Sequence, residues 1–371
     1  MTTDTTARLA ALRKRMTASG TGLVALGPGS HMQWVLGFHP HPDERPCLLL
    51  VAPGREAMLM PALNAGGSRE GTDIRFFEWG DADGPGAALA AALAWLGVAG
   101  PVLVGPVLVG LDETVRADFA LLLLGALPGA RHEFTEATIG WLRMRKDAGE
   151  YAALKMNAGL ADQAMQVIFA AIRPGISELE LAALARASFG GNGAATEFTI
   201  VGAGGNGAFP HHATGERKLA TGDAVVIDIG GRKNGFPSDI TRMAAVGALP
   251  DGYGAVHEVV ERAVRAGLAA ARPGVKAREV DAAARGVIGA AGYGPHFLHR
   301  TGHGLGVDIH EPPYLTATSD TVLDEGMVFS IEPGIYLQGR FGIRLEEIVI
   351  LRRDGPEILS GLPREVFIAG A

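Results

Sequence analysis

Acidic residues inside apolar runs are the first feature of this chain that demands chemistry. Asp228 sits in Ala224-Val225-Val226-Ile227-Asp228-Ile229-Gly230, and Glu332 sits in Met327-Val328-Phe329-Ser330-Ile331-Glu332-Pro333-Gly334. In a strand, alternation puts Asp228 on the face of Val226, opposite Ile227 and Ile229. A carboxylate there must be paired, hydrogen-bonded or bound to metal. Each run has a glycine six residues before the acid (Gly222, Gly326) and another two residues after it (Gly230, Gly334). Each is followed by a turn and a second strand with a further acid. Asp239 follows the turn Lys233-Asn234-Gly235, and Glu346 follows a turn near Gln338-Gly339-Arg340. One such acid is usually a structural ion pair, but four at matching places are not easily dismissed. The nearest cations, Arg242 and Arg344, do not make a comparable set.

Divalent metal is the economical way to neutralise buried carboxylates, and four carboxylates balance two divalent ions. His303 is the best candidate for a fifth ligand. It lies in Thr301-Gly302-His303-Gly304-Leu305-Gly306, where glycines allow close backbone approach. Oxygen-rich ligation with one imidazole suits manganese, cobalt or zinc. Two such ions, roughly 3.5–4 Å apart, can activate water and polarise a carbonyl, which is hydrolysis of an amide or ester without a covalent intermediate. His211, in Ala208-Phe209-Pro210-His211-His212, and His310, in Val307-Asp308-Ile309-His310-Glu311, stand near these motifs. A lone histidine is usually a surface or satisfied core residue, but beside a two-metal centre it can shuttle a proton or steady an oxyanion. His299 and His212 are weaker candidates. Gly202-Ala203-Gly204-Gly205-Asn206-Gly207 matches a dinucleotide fingerprint, but Phe209-Pro210-His211 predicts a loop where that fingerprint must open a helix, so a nucleotide cofactor is rejected.

The elements that must position these residues also repeat. Arg173-Pro174-Gly175 ends one predicted helix, and another starts near Ser177, where Ser177 and Glu180 make a capping box. Arg272-Pro273-Gly274 ends a later helix, and its successor starts near Lys276. The second half of the chain therefore reads as two helix–helix–hairpin units, an internal duplication with pseudo-two-fold symmetry. It opens with a charged helix from about Arg143 to Ala171. The first half reads as an α/β unit. Arg8–Ser19 has helical spacing with Leu9, Leu12 and Met16 on one face, and Leu23–Leu26, Cys47–Val51 and Met58–Pro61 read as buried strands. Its acids and histidines look scattered, as on a solvated surface. The predicted domains are 1–140 and 141–371, with the boundary near Ile139–Lys146.

Composition narrows the field. Of 371 residues, 47% are hydrophobic and 20% charged, which excludes intrinsic disorder. A net charge of -7 without long single-sign blocks argues against a nucleic-acid binder. Cys47 is the one cysteine, which excludes an internal disulfide and a thiolate cluster. Gly84 to Leu111 carries no charge, but Ala and Gly dominate it, and Pro101 and Pro106 interrupt it. It predicts a helix over about Ala87–Leu96 and a buried strand at Val102–Val104, not a membrane span. The N-terminus lacks a signal-peptide core, so a cytoplasmic setting is expected.

Together these motifs resemble the pita-bread metallopeptidase family, which includes methionine aminopeptidase, aminopeptidase P, prolidase and creatinase. The matching stretches are Asp228-Ile229-Gly230, Ser238-Asp239-Ile240-Thr241-Arg242, Gly302-His303-Gly304-Leu305-Gly306, His310-Glu311-Pro312-Pro313, Ile331-Glu332-Pro333-Gly334 and Arg344-Leu345-Glu346. The resemblance implies an α/β (α+β) fold with a C-terminal pita-bread domain and a smaller creatinase-like N-terminal domain. It implies Asp228, Asp239, His303, Glu332 and Glu346 as ligands of two divalent ions, with Asp239 and Glu346 bridging. Manganese is the first choice, with cobalt and zinc also fitting. Glu332 is implied as general base or acid, and His211 and His310 as the substrate-side histidines. Glu347 departs from the family, where Asp commonly follows the ligand Glu. The first half resembles the accessory domain in Arg8–Met16 and Ser30-His31-Met32-Gln33-Trp34-Val35-Leu36-Gly37-Phe38. Methionine aminopeptidases usually lack that domain, so the resemblance implies an exopeptidase acting on Xaa-Pro bonds in dipeptides or short peptides. It also implies a homodimer that takes a small peptide with proline in second position and needs neither nucleic acid nor membrane. The competing readings are a creatinase-like or small-amide hydrolase, and a non-catalytic peptide-binding module.

Overall fold

The structure, a computed structural model, describes residues 4–69, 72–98 and 106–370. The chain divides into two compact units, Met1–Arg143 and Met144–Ala371.

In the first unit, helix Thr5–Ser19 buries Leu9, Leu12 and Met16 and stops at Gly20, which takes a left-handed conformation (φ 73°). The sheet among the described residues runs in the order Arg75–Trp79, Glu56–Pro61, Leu48–Val51, Leu23–Leu26, Leu108–Leu111, Arg131–Phe134. Helix Gly86–Leu96 packs Leu89, Leu93 and Leu96 into the same core as Leu23, Leu48, Leu50 and Leu59. The strand predicted at Val102–Val104 lies outside the described residues. No helix among the described residues is long and apolar enough to cross a membrane.

One expectation for this unit needs correction. His31, Asp112 and Glu113 are not scattered; their ligand-capable atoms all lie within 4.8 Å of one another. Residues this far apart in sequence give no spacing signal before the chain folds. The group is already satisfied internally. Arg143 Nη1 donates to His31 Nδ1 at 3.0 Å, His31 Nε2 faces Glu113 Oε1 at 3.1 Å, and Asp112 accepts from Gly27 N at 3.1 Å and Thr114 N at 2.8 Å. The Arg143 guanidinium holds the imidazole from one side and Glu113 from the other.

The second unit repeats itself in its hydrogen bonds. Gly175 and Gly274, which close the Arg-Pro-Gly turns, have φ 86° and φ 90°. Their N–H groups donate to Leu219 O and Leu323 O, each at 2.8 Å. Gly222 and Gly326 have φ 88° and 83° and donate to Val246 O and Leu351 O, each at 2.8 Å. Left-handed conformations favour glycine, so both halves use the same residue at the same corner. The helix pair Ala148–Ala171 and Glu178–Gly191 buries Met165, Ile168, Leu181 and Phe189 against Val225, Ile227 and Ile229. The pair Tyr253–Ala270 and Ala277–Ala290 buries Val260, Val264, Ala284 and Ile288 against Val226, Met243, Ile335 and Ile343. Strand Ala224–Lys233 thus shows its odd-numbered side chains to one helix pair and Val226 to the other. Asp228 shares the Val226 face and points between the two halves.

The expected single helix from about Arg143 is two. Helix Ile139–Met144 ends, Lys146 N donates to Gly326 O at 2.8 Å, and Ala148–Ala171 begins after Asp147. Asp147 and Glu150 form a reciprocal capping box that starts the second helix. Arg145 and Lys146 instead join the edge of the second hairpin, through the bridge between Arg145 and Met327. The two halves also differ in register. Asp228 pairs with Thr241, and Ile229 with Ile240, so Asp239 precedes the ladder opposite Gly230. In the second half, Ile331 pairs with Glu347 and Gly334 with Arg344, which sets Glu332 across from Glu346.

Candidate metal centre

The acids of both halves open on one cavity of about 590 Å³, within the usual range for small-molecule sites. Asp228, Asp239, His303, Glu332 and Glu346 all line it, as do His211, His310 and His299. Single ligand-capable atoms of Asp239, His303 and Glu346 lie within 4.8 Å of one another. Asp228 and Asp239 are brought in by the first ladder, Glu332 and Glu346 by the break between strand Val328–Ile331 and the ribbon Gly334–Leu337/Phe341–Arg344. His303 comes from the short strand Gly302–Gly304. That strand lies so close to Ser330 that a Cβ at Gly302 would collide with the Ser330 carbonyl oxygen.

The hydrogen bonds leave specific atoms facing the cavity. His303 Nδ1 donates to Gly304 O at 3.1 Å, so Nε2 is turned toward Glu332 Oε1 at 3.2 Å and Asp239 Oδ2 at 3.6 Å. With Nδ1 committed, Nε2 either carries a proton or shares a cation with those two oxygens. Ser330 Oγ accepts from His303 N at 2.9 Å and donates to Glu332 Oε1 at 3.0 Å. Thr241 Oγ1 donates to Glu346 Oε2 at 2.8 Å. Asp228 Oδ1 and Glu346 Oε1 are buried and find no hydrogen-bond partner among the described residues. Buried carboxylate oxygens are seldom left so, and a divalent cation is the partner that fits both.

The electrostatics agree. Burial, then the charges of Glu346, Asp228 and Glu332, push the Asp239 carboxyl well above the usual carboxylate range. Burial, then Glu332 and Asp228, do the same to Glu346. Burial also raises Asp228, although Arg344 opposes it. Burial pulls Glu332 upward too, but the hydrogen bond and charge of His303 prevail and hold it down at about 2. Like charges crowded in a dry site cannot all ionise unless a cation joins them. Burial, with the charges of His303 and Arg300, pushes His310 down to about 4, so its imidazole is neutral at pH 7.

Sequence reasoning missed the scaffold around the acids. The sequence offers Arg344 as a nearby cation and as part of the stretch Arg344-Leu345-Glu346, without a role. That side chain is buried and touches four partners: Asp228 Oδ2, Thr241 Oγ1 at 3.0 Å, Tyr336 OH at 2.8 Å and Pro210 O at 3.2 Å. Tyr336 OH in turn meets His299 Nε2 at 2.8 Å, while His299 Nδ1 donates to Arg300 O at 2.7 Å. Thr241 and Arg344 stand two residues from an acid, and Tyr336 four, each in a strand that begins or ends within two residues of that acid. That spacing was the available signal. His212 turns elsewhere, its Nε2 meeting the buried Glu178 Oε2 at 2.8 Å. Glu347 is held by Arg242 at 3.1 Å and Arg364 at 2.8 Å, away from the cavity lining. The glycine-rich run Gly202–Gly207 passes from a strand into a 3-10 turn rather than an α-helix.

Known proteins share this architecture. Residues 152–353 match the model of metallopeptidase family M24, and residues 8–145 match the creatinase/prolidase N-terminal domain. The chain is 36% identical over 371 residues to the probable dipeptidase PepE of Mycobacterium tuberculosis, covering 98% of this chain and 96% of that protein. It superposes on the crystal structure of dipeptidase PepE from Mycobacterium ulcerans with a TM-score of 0.92 at 34% identity, covering 98% of this chain and 97% of that one. For a prolidase from Thermococcus sibiricus the TM-score is 0.88 at 32% identity, over 98% of this chain and 99% of that one. A mixed α/β chain with a duplicated second unit, acids from both halves around one cavity and these relatives belongs to metallopeptidase family M24.

Proposed function

We propose that this chain is a metal-dependent exopeptidase that cleaves the bond between an N-terminal residue and proline, in dipeptides or short peptides. The observation that carries the reading is the convergence of five ligand-type side chains and two histidines on one cavity, with carboxylate oxygens left unpartnered. Relatives called dipeptidase and prolidase support the bond and the size of the substrate. In this reading Asp228, Asp239, His303, Glu332 and Glu346 hold two divalent ions, with manganese as first choice. When bound, such ions supply an activated water and a polarised carbonyl.

The chain's own residues supply the rest. Glu332, oriented by Ser330 Oγ, accepts the proton of the attacking water and passes it to the departing nitrogen. His211 and His310 line the cavity, and this reading gives them the substrate side. His310, neutral at pH 7, can donate a hydrogen bond to a peptide carbonyl as negative charge grows on it. Arg344 fixes Asp228 and ties the Pro210-His211 loop to the same centre through the Pro210 carbonyl. The same reading carries a cytoplasmic homodimer.

The test is a panel of Xaa-Pro dipeptides and Xaa-Pro-Xaa tripeptides, assayed after loading with manganese and paired with metal analysis. Turnover with close to two ions per chain is the expected result. Failure to cleave either class sinks the substrate assignment, and fewer than two ions at saturation sinks the paired-metal assignment.

A further inference from the structure

The cavity has two cationic side chains in its lining, Arg300 and Arg344. Arg344 is fully committed, its guanidinium meeting Asp228, Thr241, Tyr336 and Pro210. The Glu197 carboxylate at the same cavity is also taken, gripped at both oxygens by Arg232 at 2.6 and 2.7 Å. Arg300 is different. Among the described residues its guanidinium meets no carboxylate and donates no hydrogen bond. It stacks on the face of Tyr314, with the guanidinium carbon 4.7 Å from the ring centroid.

Its setting is rigid on both sides. His299 Nδ1 donates to the Arg300 carbonyl at 2.7 Å. Thr301 N donates to Leu315 O at 3.0 Å, and Thr301 Oγ1 to the buried Asp281 at 2.7 Å. Tyr314 belongs to strand Glu311–Leu315. Stacking on a fixed ring holds the plane of a guanidinium while leaving its N–H edge open. Such an edge matches a carboxylate with two parallel hydrogen bonds. A substrate carboxylate drawn into a half-buried cavity whose other acids are already neutralised needs a cation of its own.

We infer that Arg300, stacked on Tyr314, takes the terminal carboxylate of the substrate and so selects dipeptides over longer or capped peptides. This rests on the peptidase reading but is separable from it. The side chain would be a specificity residue in contact with substrate, not a metal ligand.

The experiment compares Xaa-Pro and Xaa-Ala dipeptides with their C-terminal amides on manganese-loaded protein, for the wild type, Arg300→Gln and Arg300→Lys. The wild type should prefer the free acids. Arg300→Gln should lower kcat/KM on the acids by about 10–100-fold, the worth of a charge-assisted pair of hydrogen bonds, mainly through KM. It should change the amides only a few-fold, and Arg300→Lys should fall between, keeping the charge without the planar fork. Equal wild-type kcat/KM for acid and amide overturns the inference without any variant. So does an equal loss on both in Arg300→Gln. Turnover of Xaa-Ala but not Xaa-Pro, with the acid preference intact, refutes the proline reading and leaves Arg300 standing. If the wild type cleaves nothing, calorimetric titration with a dipeptide and its amide decides. Tighter binding of the acid supports the role, and equal binding overturns it.

Discussion

Replacing Arg344 by Met tests how the centre divides its charge between protein and metal. Arg344 is 3% exposed, and its guanidinium is the cation hydrogen-bonded to Asp228. Breaking a buried pair from one side leaves the other charge uncompensated, a loss of about 3–5 kcal/mol. The unit Met144–Ala371 is of a size where one kcal/mol moves the melting point by roughly 2–4 °C, so the metal-free variant should melt about 6–20 °C below the metal-free wild type. A bound divalent ion changes this sum, because Asp228 then has another cation. The remaining loss is that of the hydrogen bonds to Thr241, Tyr336 and Pro210, about 1 kcal/mol each, or roughly 6–12 °C. The ion should therefore stabilise the variant more than it stabilises the wild type. Thermal unfolding of both proteins, with chelator and with saturating manganese, reads the four values directly. An equal loss in the two conditions would falsify the reasoning, since it would mean that Asp228 never meets the ion.

The other consequences are simpler. Asp239→Ala and Glu346→Ala should each abolish turnover and lower the bound metal, seen by activity assay and metal analysis side by side; full metal content in either would remove that residue from the ligand set. His211→Ala and His310→Ala should each reduce turnover while the protein keeps its metal, and an emptied site in either variant would overturn the substrate-side role. Cys47 is buried, and burial pushes its thiol up to about 12. A disulfide-exchange reagent at pH 8 should find no reactive thiol in the folded chain and one after denaturation. The folded value lies above the unfolded one, so this group's contribution to stability is intact below about 9 and fades as pH climbs toward 12. A fast-reacting native thiol at pH 8 would contradict that burial.

Much of the second unit was legible because its signals are local. The Arg-Pro-Gly corners need a glycine in the left-handed region, and Gly175 and Gly274 both adopt it. Ser177 and Glu180 satisfy each other's backbone as a capping box within one turn of helix. Alternation put Asp228 on the face of Val226, and the two cores divide along that line. Such features depend on a few neighbouring residues, so the chain itself carries them. The helix break was local too: Asp147 and Glu150 form the same kind of box as Ser177 and Glu180, but the charged run around them hid it.

What the sequence determined by itself was therefore the inventory: a doubled pattern of corners and strands, and acids at matching places that have to be neutralised. The tertiary structure decided who meets whom. Arg344 reaches Asp228 across 116 positions of chain, and His31 meets Arg143 across 112. The offset register of the first acid pair and the facing register of the second also appear only when the strands pair. Turn and capping preferences act over a few residues and survive in an isolated segment. Convergence of remote side chains needs the packed cores to hold the two halves in place, and no short stretch of sequence encodes that distance.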